Sequence, residues 1–179
     1  MLNNRFLLQT PQENAQRLLQ QIRRVKTDRV HLLGHSLGGI VILHMLDQNA
    51  ALETPKPIPE GRVVFMGSPV LGSELAKRLY TKRWFRPLLG KSVQDGLLGG
   101  APVALHGRET GVISGSSRVG LSALFFNPGG VNDGVVEQSE TKLDDACDAV
   151  CVPRSHGLML FSRESADKVC AFFKHGRFV

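Results

Sequence analysis

Val30-His31-Leu32-Leu33-Gly34-His35-Ser36-Leu37-Gly38-Gly39-Ile40-Val41-Ile42-Leu43 is the stretch whose reading decides the fold. Val30 to Leu33 is a short apolar run of the kind that forms a buried strand. From Leu37 to about Gln48, Ile40, Val41, Ile42, Leu43, Met45 and Leu46 are apolar nearly all round, as in a helix buried against a sheet. Between them stands Gly34-His35-Ser36-Leu37-Gly38, a G-x-S-x-G pattern. That pattern arises by chance in roughly one chain in twenty of this length, so its weight comes from the flanks. A strand turning directly into a helix forces the corner residue into a strained backbone. Glycines two before and two after it let neighbouring chain approach the corner. The corner presents the Ser36 hydroxyl at the carboxyl edge of the sheet, where open α/β sheets bind ligands. The helix N-terminus lies beneath, and its free N–H groups favour an anion. Ser36 is therefore a candidate nucleophile, and a serine N-capping an ordinary helix is the alternative.

Outward from this stretch, helices and strands alternate. Thr10-Pro11-Gln12-Glu13 offers an N-cap, a proline at the first helical position and a capping-box glutamate; Leu18, Leu19, Ile22 and Val25 follow at helical spacing. Met1 to Gln9 has room for one short strand. Beyond the buried helix come a proline-rich connection over Pro55 to Pro59 and a second apolar strand, Val63 to Met66, closed by Gly67-Ser68-Pro69. Glu74 to Tyr80 reads as helix. Residues 81–107 are Gly-rich, basic and irregular, a lid or a surface crossover. Gly111 to Ser114 and Ala149 to Val152 read as two further strands, and Ser162 to Lys174 as a last helix with Ala166, Val169, Cys170 and Phe173 inward. The order implies a single α/β domain whose mostly parallel sheet is covered by helices on both faces.

A serine hydroxyl needs a base to take its proton, and the base needs an acid to hold its tautomer. For a nucleophile at a strand–helix corner, the partners follow late strands in the order Ser, Asp or Glu, His. Asp133 lies in the glycine-rich turn Pro128-Gly129-Gly130-Val131-Asn132-Asp133-Gly134 after the third strand, and His156 in Pro153-Arg154-Ser155-His156-Gly157 after the fourth. Asp133 could instead cap its own turn. Glu137 is its nearest rival; Asp144, Asp145 and Asp148 sit in a charged run before the fourth strand. His31, His44, His106 and His175 read as structural. His35 does too, because adjacent residues at a sharp corner diverge, so its ring should point away from the site.

Composition limits the classes of function. The 179 residues are 42% hydrophobic and 21% charged, ordinary for a soluble domain with its own core. No stretch approaches the roughly 18 apolar residues of a membrane span, and the first residues lack a secretory pattern, so a cytoplasmic protein is expected. Cys147, Cys151 and Cys170 form no even framework and read as small buried thiols; no metal is expected. The net charge of +6 is concentrated in Lys77, Arg78, Lys82, Arg83, Arg86 and Lys91, interleaved with Tyr80, Trp84 and Phe85. This segment suits an anionic lipid surface or plain solvation better than nucleic acid, which is an unlikely partner.

From about Pro11 to Val179 the chain resembles bacterial α/β hydrolases of the lipase and esterase type, including the lipase-like enzymes that deacylate lipid anchors. The resemblance rests on Asp28 to Gly39, on Asn132-Asp133-Gly134-Val135-Val136 and on Ser155-His156. It implies an α/β-hydrolase-like fold and hydrolysis of small-molecule or lipid esters through an acyl-serine, with no cofactor. Ser36, Asp133 and His156 would be catalytic, and the Leu37 N–H would serve the oxyanion hole. One departure stands out. Such proteins carry an early strand ending in a His-Gly loop that gives a second oxyanion donor, and the 35 residues before Ser36 hold none. The fold is thus expected to be N-terminally truncated, leaving a bare sheet edge open to self-association. A fragment or a misplaced start is the favoured explanation, over pairing with another copy or a degenerate hydrolase.

Overall fold

The computed structural model describes residues 9–52, 58–84, 90–93, 95–119 and 130–179. The strand expected within Met1–Gln9 and much of the proline-rich connection fall outside these residues. So do Phe85, Arg86, Pro128 and Gly129. Four parallel strands, β1 (Leu32–His35), β2 (Val63–Met66), β3 (Thr110–Gly115) and β4 (Asp148–Val152), lie side by side in chain order. Among the described residues four α-helices accompany them: α1 (Pro11–Ile22), α2 (Leu37–Ala50), α3 (Glu74–Thr81) and Arg163–His175, here α4.

Period-two alternation along β2 sends its side chains to two separate cores. Val63 and Phe65 face α2, which buries every residue from Gly39 to Leu46 and is backed by Ala15, Leu19 and Ile22 of α1. Val64 and Met66 face the other layer, with Ile113, Val152, Val169 and Phe172. Helices on both faces of a parallel sheet give the layered α/β architecture that the sequence implies. α1 starts with the expected box: the Thr10 side chain accepts from the Glu13 N–H, and the Glu13 carboxylate accepts from the Thr10 N–H at 2.9 Å.

Three expectations need correction. β1 runs over 32–35 rather than 30–33, because its pairing with β2 begins at Leu32 and continues to His35, directly into the corner. α4 turns Ser165, Val169 and Phe172 inward; Ala166 and Cys170 are exposed and Phe173 only partly covered. The reason is Gly111 on β3, where an added Cβ would lie 2.7 Å from the Phe172 ring: the bare backbone admits that ring and sets the helix rotation. All three cysteines are exposed rather than buried: Cys151 lies on the outward face of the edge strand β4, Cys147 just before that strand, and Cys170 on the solvent side of α4. None of the helices formed by the described residues is long and apolar enough to cross a membrane.

Candidate active site

β1 passes into α2 through a single residue, Ser36, with φ 54° and ψ −126°. Such a backbone is costly for any residue with a Cβ, on the order of 1–3 kcal/mol, and persists only where its surroundings enforce it. Here the enforcement is visible. The Ser36 N–H donates to Met66 O at 3.0 Å, and the Gly39 N–H closes a tight turn onto Ser36 O at 3.1 Å. Ser68 Oγ, from the loop after β2, donates to Gly34 O at 3.1 Å. Ser36 occupies the N-cap position of α2, but its side chain makes no capping bond to a backbone amide of that helix, and it lies at the carboxyl edge of the sheet. Leu37 N–H, at the first helical position, has no carbonyl within the helix to meet.

The glycines around the corner divide the work differently from the motif. A Cβ on Gly34 would lie 2.6 Å from Gly39 Cα, and one on Gly39 would lie 2.3 Å from Ser68 Oγ. Strand and helix therefore close on each other through Gly34 and Gly39. Gly38, the second glycine of the pattern, has no described atom within 4 Å of an added Cβ.

Asp133 and His156 meet beside this corner, at the ends of β3 and β4. Asp133 is buried, its side chain 1% exposed, and its Oδ1 accepts the N–H groups of Val135 at 2.9 Å and Val136 at 2.7 Å. Its Oδ2 accepts from His156 Nδ1 at 2.7 Å. Asp133 thus caps its own turn with one oxygen and holds the histidine with the other. A proton on Nδ1 leaves Nε2 with the lone pair of a base, and no described group bonds it. The backbone doubles the link, since the His156 N–H donates to Asp133 O at 2.9 Å. Beneath the pair lies Gly67 at φ 56°, where a Cβ would stand 3.1 Å from Asp133 Oδ2 and 3.2 Å from His156 Nδ1. Glu137 is engaged elsewhere: it accepts from Ser139 Oγ at 3.2 Å and caps the short 3₁₀ turn Gln138–Thr141.

His35 departs from expectation. Its ring packs at 4.6 Å from that of His156, and its Nε2 lies 3.0 Å from His156 O. Burial first, and then the charge of His156 beside it, hold His35 below the usual 6.5. The signal missed in the sequence was the length of β1: two more residues of strand fix where His35 points. Among the remaining histidines, His44 Nε2 bonds Asp95 O at 2.6 Å and His106 lies 3.6 Å from Asp47, both away from Ser36. The described residues hold no cluster of side chains able to bind a metal.

Sheet order, strand–helix corner and layering define an α/β-hydrolase-fold protein. The chain belongs to the family described as Domain of unknown function (DUF7379), whose model matches residues 3–104. The mature form of the Bacillus licheniformis lipase BlEst2 is similar in structure, with a TM-score of 0.71 and 20% identity over 94% of this chain and 75% of that one. The propeptide form of the same lipase gives 0.66 and 22% identity over 83% of this chain, which spans only 37% of that longer form. No curated protein matches the sequence.

Proposed function

We propose that this chain is a serine hydrolase of carboxylic esters, lipase- or esterase-like, working through an acyl-serine. The observation that carries the reading is the hydrogen bond from His156 to buried Asp133 at the same sheet edge as the strained Ser36. In the proposed reaction Ser36 Oγ attacks the ester carbonyl carbon while His156 Nε2 takes the hydroxyl proton. Asp133 keeps the imidazole in the required tautomer and stabilises its charged form. The carbonyl oxygen, now an anion, accepts from Leu37 N–H. Collapse expels the alcohol, which takes the proton from His156; water then repeats the sequence on the acyl-serine and releases the acid. Exposed Trp84 and the basic face of α3 offer a surface for lipid esters.

Intact mass after treatment with a fluorophosphonate tests this directly, because the probe needs an activated serine more than a particular substrate. One adduct on the wild-type chain, absent from Ser36→Ala, is expected. A cooperatively folded chain that takes no adduct would overturn the reading. A second reading is a non-catalytic module that binds a lipid or a protein partner. It is favoured by Leu37 N–H being the one oxyanion donor assigned among the described residues.

A further inference from the structure

We propose that His35 is a positioning residue, whose imidazole fixes the placement of His156 relative to the adjoining Ser36. The inference rests on the serine-hydrolase reading of the same site and adds a residue that the reading does not require.

His156 is held at three points. Its backbone N–H and its ring Nδ1 both go to Asp133, at 2.9 Å and 2.7 Å. Both bonds tie it to the loop after β3, and neither sets its distance from the serine corner. The third point does. His35 Nε2 lies 3.0 Å from His156 O, and among the described residues this is the one hydrogen bond joining the corner 34–39 to the loop 153–157. A carbonyl can only accept, so Nε2 carries the proton and His35 is in a single tautomer. Ring contact supports the same geometry: the His35 and His156 imidazoles are 4.6 Å apart and inclined by 42°. His35 is the residue immediately before Ser36, with its backbone fixed by β1 pairing opposite Met66. Any shift of the His156 loop from the nucleophile must therefore break this bond and slide one ring over the other.

The neutrality of His35 suits the role. The charge that forms on His156 as it takes the serine proton would be opposed by a second cation at 4.6 Å, and burial favours the neutral form of His35. A misplacement of about 1 Å between reacting groups costs on the order of 100-fold in rate, so a loosened His156 loop should reduce the rate by roughly 10- to 100-fold.

Side-chain geometry supplies the test. The amide nitrogen of Gln reaches about where Nε2 sits, whereas that of Asn falls short at the place of Nδ1. In folded, full-length protein, the second-order rate of fluorophosphonate labelling at Ser36 would be measured for His35→Leu, His35→Asn and His35→Gln, beside their melting temperatures. The far-downfield NMR proton of His156 Nδ1, bonded to Asp133, would be followed in the same samples. Supporting results are a 10- to 100-fold fall for Leu and Asn, most of it recovered by Gln, with the Nδ1 proton broadened or lost in the first two and restored in the third. Rates that merely track melting temperature, or an Nδ1 proton unchanged in all three, would overturn the proposal. If His35→Leu fails to fold, the Asn and Gln pair decides. A wild-type chain that never labels would sink the hydrolase reading instead, and the NMR comparison would still judge His35 by itself.

Discussion

β1 has a histidine at each end, and the two are held in opposite ways. His31, just before the strand, accepts the Arg62 N–H at Nδ1 over 3.0 Å and stacks on Phe173 with centroids 4.7 Å apart. His35, the last residue of the strand, donates to the backbone of His156. Burial lowers the proton affinity of both, His31 with added repulsion from Arg62, Arg29 and Arg108, and His35 with that of His156. The surroundings differ as much as the roles. The amino ends of the strands line a cavity of about 480 Å³ that includes Arg29, Arg62, Arg108 and Glu109. Its charges are largely occupied: Arg62 pairs with Glu109 and donates to Phe173 O, and Arg108 donates to Pro59 O and Gly61 O. The carboxyl ends hold a strained serine and an imidazole with one nitrogen unused. Between two ends of one sheet, the amino end has its polar groups paired, and the carboxyl end leaves His156 Nε2 with no described partner.

The largest effects should come from the carboxyl end. Asp133→Asn keeps the shape but offers the wrong partner to Nδ1, and labelling of Ser36 should fall by about 10⁴-fold. Ser36→Ala and Ser36→Gly should both abolish labelling, yet they should differ in stability. Glycine relieves a backbone strain of about 1–3 kcal/mol and gives back roughly 0.5–1 kcal/mol in chain entropy. Ser36→Gly should therefore melt above Ser36→Ala. Equal melting temperatures would mean that the corner stores no strain.

The amino end should respond in stability alone. Arg108→Met strands two carbonyl oxygens and should cost about 1–3 kcal/mol in urea denaturation while leaving labelling at Ser36 unchanged. A loss of labelling beyond the loss of folded protein would show that the two ends are coupled.

Acid should act on both ends at once. Each histidine takes up a proton near 6.5 in the unfolded chain and only at lower pH in the folded one. The unfolded state then binds more protons, so stability should fall as the pH drops below about 6.5, until the folded-state histidines titrate. His31→Asn should remove part of that slope without altering labelling at pH 8. An unchanged slope would assign the loss to other groups.

These contrasts also mark what the sequence could disclose. The Thr10–Glu13 box, the all-round apolar helix after Leu37 and the run Val63–Met66 each carry a local signal strong enough to fix an element. Ser36, Asp133 and His156 could be put forward as candidates because one fold allows them one order along the chain, and the structure brings Asp133 and His156 into a hydrogen bond. His35 could not. Whether it faced the site depended on where β1 ended, and that is set by pairing with β2, a contact about 31 residues away in sequence. The rotation of α4 was equally hidden, since it follows from a glycine on β3 rather than from the helix's own pattern.

The smallest predicted effect separates two adjacent glycines at the corner. Gly39→Ala would drive a methyl group into Ser68 and the buried Phe65 ring and should cost about 1–3 kcal/mol or more. Gly38→Ala meets no described atom within 4 Å, lies in the first turn of α2 and has no positive φ to defend. It should raise stability by about 0.4–1 kcal/mol, because alanine restricts the unfolded chain and favours the helix. Its effect on chemistry discriminates further. An acyl group seated beside Gly38 would collide with the new methyl. Greater stability with an unchanged rate for a small fluorophosphonate, but a slower one for a long-chain probe, would place the acyl chain over Gly38. Equal rates for both would place it elsewhere and leave Gly38 as an ordinary helical position.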